Sequence, residues 1–499
     1  MAIESSHRPD PAAPGGPWPI RFLLNDALVE TTEPGGLAVL DFVRRRRELK
    51  GTKEGCKEGD CGACTVLVGE LEGERVRYRP MTSCLMPLAE AHGRHVVTVE
   101  GIDVGRPNAL QRAIVDHGAS QCGFCTPGIA VSFAAMVLEG EDQVGGAPPA
   151  EDRVDRALSG HLCRCTGYRS LRSAGLAGLE ALGIGVNGMP GLAELVAEGE
   201  LPGHFLAAAD RLRGIAPRPV PADAAVVAGG TDLYVQRGEE LPDGPVATLH
   251  ALLPRRPELR GVRAAGGWIS IGALTSFEEI GESELLRRRI PGLRAFLDLV
   301  ASWQIRTRAT VAGNLVNASP IGDLSVLLLA LDARVVLERG VFGDGGERRE
   351  VPLDGFYRGY KVHDRAPDEI VTEVRVPEIE TADRVDFEKV SKRRYLDIAT
   401  VNTAARLRVE DGEIVAARLA AGGVAPFPLF LREASAAVVG RPVAPETVAR
   451  AVAVAQEEIS PISDVRGSAE YKRLLVRNLL VAHFTNLFPE RLAPEALLA

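Results

Sequence analysis

Short alternations of apolar and polar residues open the chain. Residues 19–24 (Pro-Ile-Arg-Phe-Leu-Leu) and 27–31 read as strands around Asn25-Asp26, a hairpin signal. Leu37 to Leu49 has helical periodicity. Thr65 to Val68 and Arg75 to Tyr78 predict a second hairpin, followed by a short helix near Cys84 and a strand over His95 to Val99. From about residue 107 the period becomes helical, predicting helices over 107–118, 127–139, 150–159 and 169–182. Residues 184–222, rich in Gly, Pro and Ala, read as a connector. Mixed α and β patterns run to about residue 382. A last unit, about 384–495, carries strands at 398–409 and 413–420 and then helices, the longest near 468–488. No internal repeat at solenoid periods is visible. The pattern predicts a multidomain α+β chain.

A length of 499 residues suits three or four domains at roughly 150 residues each. The net charge of −9 is spread along the chain, which offers no basic face for nucleic acid. Arg44-Arg45-Arg46-Arg47 is the one long basic run and reads as a solvated helix C-terminus, with a partner-docking patch as the alternative. The best apolar run, Val326 to Leu331, is cut off by Asp332 and falls short of the roughly 18 residues that span a bilayer. Residues 1–17 lack an apolar signal core and read as a disordered arm. A cytoplasmic location is expected.

Cysteine placement changes the picture most. All eight cysteines lie in the first 165 residues, in two groups. Cys56, Cys61, Cys64 and Cys84 are spaced C-x4-C-x2-C-x19-C, and Cys122, Cys125, Cys163 and Cys165 are spaced C-x2-C-x37-C-x-C. Two complete sets of four thiols are the ligand demand of two [2Fe–2S] clusters. Disulfides suit oxidising compartments and small secreted domains, neither of which is indicated. Structural zinc is the stronger competitor. Against it, the first group has the plant-ferredoxin spacing, in a glycine-rich loop (Gly51 to Cys64) where small residues let backbone N–H groups approach sulfur. Cys122 and Cys125 precede one predicted helix and Cys163 and Cys165 another, so both pairs are expected at helix N-termini, which favour anions.

Two Gly-containing turns in the second half carry the remaining chemistry. In the first, a strand ending at Val226, Val227 and Ala228 runs into Gly229, Gly230, Thr231, Asp232 and Leu233. The second runs from Thr310, Val311, Ala312, Gly313 and Asn314 to Asp323. Either can present backbone N–H groups to a pyrophosphate, with Thr231, Asn314 and Ser319 adding side-chain hydrogen bonds. Gly183-Ile-Gly185-Val-Asn-Gly188 matches G-x-G-x-x-G but follows a helix, with Pro190 behind it, and reads as linker. The nine histidines show no metal spacing and no triad is evident, and the two turns, lying behind two cysteine-cluster domains, point to a dinucleotide.

These segments resemble the iron–sulfur/FAD small subunits of bacterial xanthine dehydrogenases, within the molybdenum hydroxylases. The resemblance rests on Gly55-Cys-Lys-Glu-Gly-Asp-Cys-Gly-Ala-Cys64, Gln121-Cys-Gly-Phe-Cys-Thr-Pro-Gly128 and Leu162-Cys-Arg-Cys-Thr-Gly-Tyr168. The two glycine turns and the segment from Lys389 through Arg393-Arg394-Tyr-Leu-Asp397 extend it. It implies a ferredoxin-like β-grasp [2Fe–2S] domain (18–102), a four-helix [2Fe–2S] domain (103–184), a linker (185–215), an α+β FAD-binding domain of vanillyl-alcohol-oxidase type (216–382) and a C-terminal α+β flavoprotein domain (383–499). FAD is implied at residues 226–233, Thr310 to Asn314, Asp323, Val371 and Lys389, with Lys389 near the ring. The implied electron order is molybdenum, helical-domain cluster, ferredoxin-like cluster, FAD, NAD, with Gln121 near the partner's pterin.

His161, Ser170-Leu171 and Val300 stand where the family often has Asn, Pro-Ile and, in animal members, an aromatic residue. Nothing resembles a molybdenum domain. Substrate hydroxylation is therefore expected on a large molybdenum-cofactor subunit, in a heterotetramer of two plus two. The same role in a hydroxylase of an aldehyde, CO or an N-heterocycle is the second reading, and a zinc-bound scaffold the non-enzyme one.

Overall fold

Asn25, in a left-handed conformation at φ 53°, turns β1 (Ile20–Leu24) back onto β2 (Ala27–Thr31) with Leu24 opposite Ala27. The computed structural model describes residues 19–139, 148–184, 190–219, 225–242, 246–341 and 346–493, so the G-x-G-x-x-G segment lies largely outside the described residues. Contacts divide the chain into two units, Met1–Val227 with Leu233–Pro254, and Ala228–Asp232 with Arg255–Ala499.

In the first unit, α1 (Val39–Asp41) widens into a π-helical turn over Phe42–Arg46. It ends short of the predicted Leu49. Arg44 bonds the Thr52 carbonyl, Arg46 bonds Glu33, and Glu48 turns left-handed at φ 56°. Arg44, and Arg45 through Glu54, thus tie down the start of the cysteine loop as well as meeting solvent. Strands β3 (Thr65–Glu72), β4 (Arg75–Thr82) and β5 (His95–Val97) complete a sheet of order β2-β1-β5-β3-β4, with β1 and β5 parallel. Ile20, Phe22, Val39, Phe42, Val66, Val68 and Val96 fill its core.

The four expected helices follow as α2 (Ala109–Asp116), α3 (Thr126–Leu138), α4 (Ala150–Leu158) and α5 (Arg169–Ala181). Asn108 and Gln111 form a capping box on α2. Helix α3 is apolar all round because it is enclosed, with α2 and α4 beside it and β3 and β4 against it. The connector is partly structured, with α6 (Leu192–Ala197) and α7 (His204–Arg213). Phe205 of α7 is buried, 5.0 Å from the Tyr78 ring, and Arg211 pairs with Asp26. β6 (Ala225–Val227), α8 (Leu233–Arg237) and β7 (Val246–Thr248) close this unit. β6 and β7 pair in parallel, and the Tyr234 hydroxyl donates to the Gly36 carbonyl.

The second unit begins with β8 (Val262–Ala265) and β9 (Trp268–Gly272). Helices α9 (Phe277–Glu282), α10 (Glu284–Arg289), α11 (Leu293–Asp298), α12 (Trp303–Arg306), α13 (Val311–Asn317) and α14 (Asp323–Ala330) follow. Then come β10 (Arg334–Arg339), β11 (Arg348–Pro352), the small hairpin β12 (Tyr357–Gly359) and β13 (Val362–His363), and β14 (Glu369–Pro377). The sheet order is β11-β10-β14-β9-β8, antiparallel throughout. A second sheet, β15 (Asp383–Val390), β16 (Val401–Glu410), β17 (Glu413–Gly422) and β18 (Leu429–Phe430), precedes α15 (Arg432–Val438), α16 (Pro445–Glu458) and α17 (Ala469–Leu487). The apolar run ending at Leu331 is mostly α14, buried against β16 and β17. Among the described residues no helix is long and apolar enough to cross a membrane.

Candidate redox centres

The eight cysteines are free thiols gathered in pairs. Cys64 Sγ lies 3.3 Å from Cys84 Sγ, and Cys56 hydrogen-bonds Cys61. The Cys61 hydrogen bond, helped by backbone N–H groups, pushes the Cys56 thiol down to about 5 while Cys61 is pushed up. Cys84 holds the buried Cys64 down in the same way and is itself pushed up. In the helical domain Cys125 pairs with Cys163 and Cys122 with Cys165. Burial first, then Cys163, pushes the Cys125 thiol up to about 12. Two pairs of thiols suit two irons, each taking two thiolates, and main-chain donors already surround the sulfur. Glu58 N–H lies 3.3 Å from Cys56 Sγ and Cys56 N–H 3.5 Å from Cys61 Sγ. The residues therefore fit [2Fe–2S] groups.

Glycine brings the two cysteine groups together. Gly62, at φ 68°, lies so close to the Gly160 carbonyl and His161 that a Cβ would overlap both, and a Cβ on Gly128 would overlap the Gly62 carbonyl. Leu162 N–H donates to the Cys61 carbonyl at 3.1 Å, joining residues adjacent to or within opposite groups. His161 is buried with Nε2 2.7 Å from Ser132 Oγ, and burial lowers it to about 3, so the imidazole is neutral. Tyr168, left-handed at φ 67°, accepts from Cys163 N–H and donates to the His161 carbonyl through one hydroxyl. Cys125 occupies the N-cap position of α3, whereas Cys163 and Cys165 lie in the loop ahead of Tyr168, the N-cap residue of α5. Cys122 and Cys165 are exposed, beside exposed Phe124, Leu162 and Tyr168. Gln121 bonds the Cys165 carbonyl.

In the second unit, Arg308 donates to the Gly229 carbonyl, and a Cβ on Gly229 would overlap the Arg308 carbonyl. Gly230 is left-handed at φ 72°. The N–H groups of Gly230, Thr231 and Asp232 have no acceptor among the described residues, leaving a nest of donors that fits a diphosphate. Thr310 caps α13 through Gly313 N–H at 3.1 Å. Asn314 donates to Ser325 at 2.6 Å, whose hydroxyl lies 3.1 Å from that of Tyr357. The Ser319 hydroxyl accepts a local bond from Ile321 N–H. Asp323 gathers the remaining polar groups, with Lys389 Nζ 2.8 Å from Oδ2 and Asn402 Nδ2 2.5 Å from Oδ1. Lys389 also donates to the Leu299 carbonyl at 2.9 Å. Val371 is buried in β14 opposite Leu337. Val226, Val227 and Leu233 belong to the first unit.

Arg308, Asn402 and Tyr357 escaped the sequence reading. Each makes its contact across tens of residues of sequence and belongs to no local motif. The loop before α12 was also not anticipated. Its carbonyls at Leu299, Val300 and Ala301 are held in turn by Lys389, Arg306 and Leu396 N–H. Arg306 and its partner Glu278 are fully buried.

Comparison with known proteins gives this geometry a family. Residues 22–89 match the 2Fe-2S iron-sulfur cluster binding domain, and 98–176 the [2Fe-2S] binding domain. Residues 215–379 match the FAD binding domain in molybdopterin dehydrogenase, and 387–487 the CO dehydrogenase flavoprotein C-terminal domain. A xanthine dehydrogenase of Emericella nidulans is 30% identical over 493 residues, covering 85% of this chain and 35% of that protein. Aldehyde oxidase 1 of Bos taurus is 28% identical over 512 residues, covering 89% and 37%. A solved carbon monoxide dehydrogenase chain from Hydrogenophaga pseudoflava is 29% identical over 55% of this chain and 92% of its own, at a TM-score of 0.49. The chain belongs to the iron–sulfur/FAD subunit family of the molybdopterin dehydrogenases. It spans 35% of the length of the first of these relatives and 37% of the second.

Proposed function

We propose that the chain is the iron–sulfur/FAD electron-transfer subunit of a xanthine dehydrogenase, working with a separate molybdenum-cofactor subunit in a cytoplasmic heterotetramer. The observation that carries this reading is the joining of two complete four-thiol sets within one unit, followed in the same chain by an FAD-binding domain. Cys56, Cys61, Cys64 and Cys84 hold one cluster, and Cys122, Cys125, Cys163 and Cys165 the other. When bound, the clusters would supply one-electron transfer, and FAD would bridge it to a two-electron acceptor such as NAD. The chain's own residues supply position and field. Gly62 and Gly128 allow close approach of the two loops, and Tyr168 fixes the loop carrying Cys163. Residues 228–232 and 310–314 cradle the dinucleotide, while Lys389 and Asp323 set the charge near the ring. The exposed Phe124, Leu162 and Tyr168 beside Cys122 and Cys165 form the partner-facing surface.

A second reading is favoured by relatives with other names, among them aldehyde oxidase 1 and a nicotinate hydroxylase of Emericella nidulans. An anaerobic visible spectrum of the natively purified complex, before and after xanthine, separates the two. Bleaching by xanthine, reversed by NAD, supports xanthine dehydrogenase. A coloured complex that ignores xanthine but bleaches with NADH moves the substrate to another hydroxylase class. A colourless protein containing zinc would end the electron-transfer reading.

A further inference from the structure

The hairpin β12–β13 is linked to both glycine turns by hydrogen bonds. Lys361, at its tip, donates to the Asn317 carbonyl and to Asn317 Oδ1, each at 2.8 Å. Asn317 in turn hydrogen-bonds Asp232, the end of the first turn. Tyr357, at the other end of the hairpin, meets Ser325, which meets Asn314 of the second turn. The tip itself is exposed at Tyr360 and Val362. Lys361 holds a left-handed conformation at φ 58°, which a non-glycine residue adopts at a cost.

The charges around this tip are uneven. Lys389, the cation of the second turn, is already matched by the Asp323 carboxylate. Lys361 hydrogen-bonds only the neutral Asn317 oxygens, and the Asp232 carboxylate acts on it through space without an ion-pair contact among the described residues. Asp232 also brings near it the N–H groups of Gly230, Thr231 and Asp232, which have no acceptor among the described residues. A nest of donors next to a cation held on neutral acceptors suits a dianionic group.

We propose that Lys361 is a further dinucleotide-binding residue, and that its ammonium leaves the Asn317 oxygens for a phosphate oxygen of the FAD diphosphate as the hairpin closes on it. The proposal rests on reading residues 228–232 and 310–323 as the flavin site. The competing role is a plain helix-end cap, since Asn317 is the last residue of α13.

The test uses the full chain stripped of flavin, titrated with FAD and separately with ADP, which carries the diphosphate without the ring. Lys361→Gln is expected to weaken both by about tenfold or more and to flatten the salt dependence of binding, as the loss of one charge-assisted contact requires. Lys361→Arg should recover most of the affinity. Iron content and the melting temperature of the flavin-free chain check that each variant folds. If Lys361→Gln lowers that melting temperature but leaves FAD and ADP affinity within twofold of the parent, Lys361 is a cap and the proposal is overturned. If the parent chain itself binds neither ligand, the flavin reading falls, and the proposal with it.

Discussion

The Leu162 amide donates to the Cys61 carbonyl at 3.1 Å, so the backbone preceding Cys163 of one proposed ligand set is bonded to a cysteine of the other. That bond needs the two loops to touch, and Gly62 is where they do. Gly62→Ala would place a methyl inside the Gly160 carbonyl and His161, at a φ that already disfavours a side chain. The backbone term alone is about 1–2 kcal/mol. We expect a lower melting temperature and slower equilibration between the two clusters, read by rapid-freeze spectroscopy after partial reduction. Unchanged equilibration would show that this contact is dispensable.

Each cysteine set should fail independently. Cys64→Ser is expected to halve the iron and remove one of two paramagnetic signals from the reduced chain, and Cys125→Ser to remove the other. Loss of both signals from either variant would mean that the sets are wrongly partitioned.

Lys389 and Asp323 form an ion pair that is almost completely enclosed, with the lysine side chain 2% exposed. Removing one member strands the other. Lys389→Met should cost about 3 kcal/mol in unfolding free energy and reduce the flavin-to-iron ratio. Adding Asp323→Asn should restore stability without restoring flavin. Recovery of both would assign the pair to folding alone.

Acid sensitivity should trace to buried histidines of the first unit. Burial lowers His95 from 6.5 to about 4, between the Tyr78 hydroxyl at 2.7 Å and the Asn25 carbonyl at 2.8 Å. The unfolded chain takes up this proton first, so stability is intact above about pH 6.5 and falls as pH drops toward 4, by up to about 3 kcal/mol. Chemical unfolding at pH 7 and pH 5 should show a smaller drop in His95→Gln than in the parent. Equal drops would clear His95 of the effect.

Local pattern carried the elements whose signals are local. Asn25-Asp26 marked the first hairpin, Pro127 the start of α3, and the long helix near 468–488 emerged as Ala469–Leu487. The cysteine spacing separated the eight thiols into the same two sets that the fold gathers. Contacts set by tertiary packing stayed hidden. Arg306 meets Glu278 across 28 residues, and Lys361 meets Asn317 across 44, with no motif at either end. Helices α6 and α7 were masked by a Gly- and Pro-rich connector, because Phe205 packing on Tyr78, rather than local propensity, holds α7 in place.

The unequal exposure of the thiols implies an order of assembly. Cys64 and Cys84 are sealed inside the first domain, whereas Cys122 and Cys165 open to solvent. Iron and sulfide can therefore reach the helical domain after the chain has folded. The first set reaches solvent only in part, through the half-buried Cys56 and Cys61, so it should be the slower of the two to load when iron arrives late.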